Sequence, residues 1–328
     1  MKLPAPFIQL PLLFDADTLA AEIMALPETC WKPHPQGFAG NSMLPFIAVN
    51  GDPDNENFAG LMRPTPHLGH CPYMMQLLDS LGTTLGRTRL MRLSGHAEVA
   101  RHADQGYYWA ERVRVHVPII TQPTVRFYCG DADVNMAAGE CWIFDTWRPH
   151  RVLNDDVRSR VHLVVDTVGG EKFWDLVAQG RGHTSPPLPS PQRIVPSTGR
   201  APGLYCESTN VPVVMSPWEL RFLLDLLFSD AIPHAQLAVL QPMTRRFCNR
   251  WHELWARFGE SPEGWPYFRV ALANFVERFH LVAEPIKLRN ELGLVSAFGT
   301  LIAQVAVVAD ANAAAPRHDE MMGIADRA

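Results

Sequence analysis

Between His183 and Gly203 the chain reads HTSPPLPSPQRIVPSTGRAPG, six prolines in 21 residues. Proline has no backbone N–H and a fixed φ, so this stretch can be neither a regular helix nor a central strand. It divides the 328 residues into two parts, and any fold must respect that division. The length suits two domains. We expect a first domain over residues 1–182, an extended linker over 183–203, an α-helical domain over 204–310 and a frayed tail over 311–328.

The pattern before the prolines is mostly β. ERVRVHVPIIT, from Glu111 to Thr121, alternates, so that Arg112, Arg114 and His116 share one face and Val113, Val115 and Val117 the other. Further strands are expected over 124–129, 140–146, 150–153 and 158–166, and helices over 17–26 and 73–81. Short strands separated by turn residues suggest an antiparallel sandwich or jelly roll. The pattern after the prolines is α. Ser216-Pro217-Trp218-Glu219 opens a helix with a capping box and Pro at the first helical position. Helices are expected over 243–258, 265–283 and 287–309. The first of these carries Phe247, Trp251, Leu254, Trp255 and Phe258 on one stripe and ends at Gly259. No repeat is evident.

Composition narrows the function classes. A net charge of −5 gives no global field that would gather nucleic acid or an anionic membrane. Pro4, Pro6 and Pro11 break the apolar N-terminal stretch, which does not read as a secretory signal. The apolar run from Leu294 to Ala309 is too short to span a bilayer. These features point to a soluble, cytoplasmic protein. Six cysteines without a CxxC pair read as reduced thiols.

The chemistry gathers between Arg89 and Asp166. His102-Ala103-Asp104 sets an imidazole and a carboxylate two residues apart, and in an extended segment both point the same way. His150 follows 46 residues later, in another expected strand. Two His and one carboxylate form the facial triad of non-haem Fe(II) oxygenases, which leaves three metal positions open. A 2-oxo acid can fill two by chelation and O₂ the third. An isolated HxD is a weak signal, since most are surface residues. Arg160 strengthens it. Asn154-Asp155-Asp156-Val157 is a good turn sequence, and a hairpin centred there would set His150 opposite Arg160. That arginine could then take the far carboxylate of 2-oxoglutarate. Arg112, Arg114 and His116 make sense on a face lining a pocket for carboxylates, the other reading being the outer face of an edge strand. Tyr107, Tyr108 and Trp109 read either as an aromatic wall over the substrate or as a packed loop cluster. His162 reads as a satisfied core histidine.

Residues 89–166 resemble the aspartyl/asparaginyl β-hydroxylase family of Fe(II)- and 2-oxoglutarate-dependent dioxygenases. The matching pieces are Arg89-Leu90-Met91-Arg92-Leu93, His102-Ala103-Asp104, Arg112 to Ile119, Gly139 to Asp145, His150 and Arg160 to Val164. The resemblance implies a double-stranded β-helix, jelly-roll or cupin-like, followed here by the α-helical region. It implies hydroxylation of an amino-acid side chain, an aspartyl/asparaginyl-type residue or a free amino acid, with 2-oxoglutarate decarboxylated to succinate and CO₂. His102, Asp104 and His150 would be both metal ligands and catalytic residues. Arg160, His116 and Arg114 would bind the cosubstrate, and Arg112, Tyr108 and Trp109 the substrate. Animal protein-modifying members carry Gly where Asp104 stands, which separates this chain from them.

The substrate is expected to be a small-molecule amino acid or a peptide or protein carrying a carboxylate. Three roles stay open for the C-terminal helices: a dimerisation element, a lid, or a module that docks a protein partner or a carrier-bound substrate. An alternative to the hydroxylase is a non-catalytic cupin-like sensor of metal or 2-oxo acids.

Overall fold

A computed structural model describes residues 1–35, 37–199 and 202–308. The expected tail over 311–328 lies outside them. In chain order the strands and helices before the Pro-rich stretch are β1 (Phe7–Phe14), α1 (Ala16–Met24), β2 (Lys32–Pro33), β3 (Asn41–Val49), β4 (Met62–Pro64), α2 (Pro72–Ser80), β5 (Thr84–Leu93), β6 (Glu98–His102), α3 (Tyr107–Ala110), β7 (Val113–Ile120), β8 (Val125–Cys129), β9 (Ala132–Val134), β10 (Glu140–Phe144), β11 (His150–Asn154), β12 (Arg160–Gly169) and α4 (Glu171–Ala178). Then come β13 (Arg181–Gly182), β14 (Gln192–Ile194), α5 (Pro217–Asp230), α6 (Leu237–Phe258), α7 (Trp265–Ala283) and α8 (Leu294–Phe298). Among the described residues the contacts form two compact units, one of residues 1–102 and 111–208, the other of 103–110 and 209–308.

The first unit is a double-stranded β-helix. Its large sheet runs β13-β1-β10-β7-β12-β5-β3-β2, and its small sheet runs β6-β11-β8-β9. All the pairings within these two orders are antiparallel. Phe7, Leu93, Phe127, Cys129, Trp142, Phe144 and Val152 fill the space between the sheets. Both faces of β7 are buried, so the alternation of Arg114 and His116 with valines does not mark an outer surface. The helices α1 and α2 fall where the sequence puts them. Two strands went unforeseen because they contain proline. Pro11 lies where the β1–β10 register shifts between Leu10 and Leu13, and Pro45 where the β3–β5 register shifts before Ile47. A bulge interrupts the ladder, so a residue with no N–H is tolerated there.

The Pro-rich stretch is less free than its composition implies. Gln192–Ile194, between Pro191 and Pro196, runs parallel to Leu12–Phe14 at the sheet's edge. The Tyr73 hydroxyl donates to the Ile194 carbonyl. Gln76 exchanges hydrogen bonds of 2.7 and 3.0 Å with the Ser197 backbone. Cys206 then bridges Leu85. The first unit therefore runs to Ser208, beyond the boundary expected at 182. A parallel edge strand needs few N–H donors, which is how a proline-flanked segment meets the demand.

The second unit is helical. The Ser216 side chain caps α5 by accepting from the Glu219 N–H at 3.2 Å, as the capping box predicts. In α6, Phe247, Trp251 and Leu254 are buried, and the Phe247 ring stacks on Phe275 of α7 at 4.1 Å. Phe279 and Phe298 extend this core at 4.4 Å. The structure departs from expectation twice. Helix α6 begins before Pro242, at Leu237. The helix expected over 287–309 is cut down to α8 and a π-helical turn, Gly299–Ala303. Glu291 at φ +74° stops any earlier start.

Candidate metal and cosubstrate site

The small sheet brings the two candidate histidine ligands together. β6 and β11 are antiparallel with His102 paired to His150, and residues directly opposite share a face. Their rings lie 4.2 Å apart, centre to centre. The Nδ1 of His102 is 2.8 Å from the Ala100 carbonyl and that of His150 is 2.9 Å from the Arg148 carbonyl. A carbonyl can only accept, so each Nδ1 carries the hydrogen and each Nε2 presents its lone pair. One ligand atom each from His102, Asp104 and His150 lie within 4.8 Å of one another. His102 is partly buried, while Asp104 and His150 are buried. A two-His, one-carboxylate donor set of this kind fits Fe(II). The division between the two units falls inside the motif, after His102.

The large sheet faces this group with an array of cations. Register places Arg114 and His116 of β7 beside Asp166 and Val164 of β12, and Val164 beside Arg89 of β5. His116 packs edge-on against Phe127 of the small sheet at 5.1 Å and against Phe144 at 5.3 Å. This face is thus interior, which settles the choice left open by the alternation. Arg160 and His162 follow at two-residue spacing on the same face. Arg160 donates to the Nδ1 of His162 at 2.9 Å. His162 must therefore be neutral, with its hydrogen on Nε2.

Burial and the neighbouring Arg160 hold the pKa of His162 well below the ordinary histidine value. Burial acts likewise on His116, reinforced by Arg160, Arg114 and His150. Burial lowers Arg160 to about 9, which leaves it charged at neutral pH. Among the described residues, the Arg160 Nε, the His162 Nε2 and both His116 nitrogens are buried without a hydrogen-bond partner. Buried polar atoms are seldom left so. A carboxylate-bearing ligand would accept from the donors among them, the Arg160 Nε, the His162 Nε2 and the one N–H of neutral His116, and 2-oxoglutarate fits that description.

Several sequence expectations need restating. His150 and Arg160 are not hairpin partners. β11 belongs to the small sheet and β12 to the large one, and Arg160 is paired with Leu93. The turn sequence is real, but it carries the chain from one sheet to the other. Asn154 anchors that crossing by donating to the carbonyls of Ser94 and Arg158 at 2.9 and 2.8 Å. Arg112 precedes β7 and donates to both oxygens of Glu207 at 2.8 and 3.2 Å. Arg114 donates to Asp166 at 3.1 Å. Both arginines thus engage carboxylates of the chain itself. Tyr108 and Trp109 form a short helix, are buried, and meet edge to face at 4.7 Å.

No site motif marks Arg87, Arg89, Asp166, Glu207 or His34, yet all five are buried. Arg87 is buried with its guanidinium 4.6 Å from the Phe58 ring centre. His34 is lowered to about 3 by burial and then by Arg89 and Arg87. The alternation Arg87-Thr88-Arg89 in a strand was the available signal for the two arginines. Glu207 and His34 are brought in by tertiary contacts alone.

Residues 57–169 match the model of a family described as aspartyl/asparaginyl beta-hydroxylase. Among solved structures, the chain is similar to a 2OG-Fe(II) oxygenase family oxidoreductase from Burkholderia pseudomallei, with 13% identity over 48% of this chain and 80% of that one and a TM-score of 0.38. It is similar to a Pseudomonas putida prolyl-4-hydroxylase, with 18% identity over 50% and 92% and a TM-score of 0.35. A third likeness is to a Trichoplax adhaerens prolyl hydroxylase solved with a hypoxia inducible factor peptide, with 12% identity over 52% and 87% and a TM-score of 0.37. The matched segment, about a third of the chain, holds His102, Asp104, His150 and Arg160, and over that segment the chain is similar to the aspartyl/asparaginyl β-hydroxylase family.

Proposed function

We propose that the chain is an Fe(II)- and 2-oxoglutarate-dependent dioxygenase that hydroxylates an amino-acid side chain. The observation that carries this reading is the convergence of His102, Asp104 and His150 donor atoms within 4.8 Å. His102, Asp104 and His150 would hold the iron. When bound, the iron supplies oxidation of an unactivated C–H by O₂, with 2-oxoglutarate leaving as succinate and CO₂. The chain's residues hold and orient. The Nδ1 hydrogen bonds fix both imidazoles with Nε2 inward. Arg160 would take the far carboxylate of 2-oxoglutarate, with His162 steering its guanidinium. Neutral His116 can donate one hydrogen bond to a cosubstrate oxygen. Phe127, Phe144 and Trp142 keep water from the site.

The substrate reading follows from charge. Arg87, Arg89 and Arg114 line the same inner face, so a substrate bearing a carboxylate, from a free amino acid or an acidic side chain, is favoured. Arg112, Tyr108 and Trp109 remain proposed substrate contacts, Arg112 through exchange of Glu207 for the substrate's carboxylate.

The test is succinate release over a panel of amino acids and peptides, with mass spectrometry for a gain of one oxygen. His102→Ala, Asp104→Ala and His150→Ala should each abolish turnover and weaken Fe(II) binding. Full activity in Asp104→Ala would remove the carboxylate from the ligand set. Tight binding of iron and 2-oxoglutarate with no succinate over the whole panel would favour the sensor.

A further inference from the structure

The segment that carries Asp104 is held within the helical unit by Thr300, Ser296 and Glu219. Residues 103–106 are all buried, yet they make no strand and lead into a helix of four residues. The Thr300 hydroxyl donates to the Gln105 carbonyl at 2.9 Å. A hydroxyl has one hydrogen to give. Its other acceptors, the carbonyls of Ser296 and Ala297, stand farther off at 3.3 and 3.4 Å, so the hydrogen belongs to Gln105. One turn earlier, on the same face of the helix, the Ser296 hydroxyl reaches the Gln105 side chain at 3.4 Å. At the other end of the segment the Tyr107 hydroxyl donates to the Glu219 carboxylate, and Glu219 is fixed in the first turn of α5 by the Ser216 cap.

Thr300 lies in a π-helical turn, closed by Gln304 N–H donating to the Gly299 carbonyl at 3.0 Å. A π insertion in a helix is uncommon and tends to sit where a side chain must be re-aimed for function. Here the turn delivers a buried hydroxyl to the backbone one residue from a metal ligand. We infer that the C-terminal helices are a positioning device for Asp104, with Thr300 and Ser296 as positioning residues that set the carboxylate for the metal. This rests on the Fe(II) reading of the site. It gives the helical unit a role inside the metal chemistry, apart from dimerisation or docking.

The experiment measures Fe(II) affinity of the full chain anaerobically, by competition with a chromophoric chelator. Thr300→Val keeps the side chain's shape and removes the hydroxyl. Outer-shell partners of metal ligands are commonly worth about 10- to 100-fold in affinity. Thr300→Val should raise the Fe(II) dissociation constant about 10-fold, Ser296→Ala by less, and Thr300→Ser should restore it. A general loosening of the helical core is controlled by Phe279→Leu, which should lower the melting temperature while leaving Fe(II) affinity alone. In an Asp104→Ala background, Thr300→Val should have no further effect on affinity. Wild-type affinity in both Thr300→Val and Ser296→Ala, or an equal loss in Phe279→Leu, overturns the inference. So does a Thr300→Val effect that persists without Asp104. Should the wild type itself fail to bind Fe(II), the reading of the metal site has failed instead. Ser296→Ala serves as the deciding variant if Thr300→Val does not fold.

Discussion

Arg160 is the residue on which the cosubstrate reading turns. Its guanidinium is buried, keeps its charge, and donates to a neutral imidazole that brings no counter-charge. Holding a cation this way is unfavourable unless a carboxylate arrives to pair with it. Arg160→Ala should therefore raise the KM for 2-oxoglutarate by roughly 30-fold, or about 2 kcal/mol, with little change in the KM of the hydroxylated substrate. Titrating the two substrates separately reads this directly. An unchanged KM for 2-oxoglutarate would take Arg160 out of the cosubstrate site. His162→Phe should show a weaker form of the same defect, since it removes the acceptor that aims the guanidinium.

At the scale of elements, the ion pairs are crosslinks. Arg114 of β7 grips Asp166 of β12, and Arg112 grips Glu207, which lies beyond the Pro-rich stretch. All four side chains are at most 7% exposed. Removing one partner strands a buried charge, at a cost of about 3–5 kcal/mol. Arg114→Ala and Arg112→Ala should each lower the unfolding free energy by that amount, read as an earlier denaturant midpoint. If Arg112→Ala loses stability but keeps the KM of the prime substrate, its role is to tie Glu207 down. A stable variant with a raised substrate KM would mark it as a substrate contact instead.

For the whole molecule, the barrel interior holds three histidines that stay neutral. Burial and nearby arginines lower His34 to about 3 and push His116 and His162 well below the usual value. An unfolded histidine titrates near 6.5. Below that pH the unfolded chain takes up protons that the folded chain refuses, so stability is full above about 6.5 and falls as pH drops toward the folded values. The slope is roughly 1.4 kcal/mol per pH unit for each histidine. Denaturant midpoints of the metal-free protein between pH 7.5 and 5 should show the loss, and His116→Gln should flatten it. No such flattening would mean that His116 is already protonated in the fold. A second prediction concerns the Pro-rich stretch. Limited proteolysis should cut first within 184–190, which is mostly exposed, and spare 192–194, which is paired to β1. Early cuts at 192–194 would show that β14 does not hold in solution. Among the described residues, no helix is long and apolar enough to cross a membrane.

Local chemistry made much of this legible in advance. Alternation in ERVRVHV set β7, the capping box and Gly259 set ends of α5 and α6, and the HxD spacing with a distant His named three residues whose donor atoms lie within 4.8 Å of one another. These signals are local because backbone period and ligand spacing are properties of a few consecutive residues. Tertiary structure decided the rest. It placed Pro11 and Pro45 at bulges, so that segments with breakers became strands of the large sheet. It sent β11 and β12 to different sheets, where the turn sequence alone suggested a hairpin. It paired Arg112 with Glu207 across 95 residues and gathered residues 103–110 with the C-terminal helices. None of these follows from local pattern, because each depends on which distant surface is left to bury against.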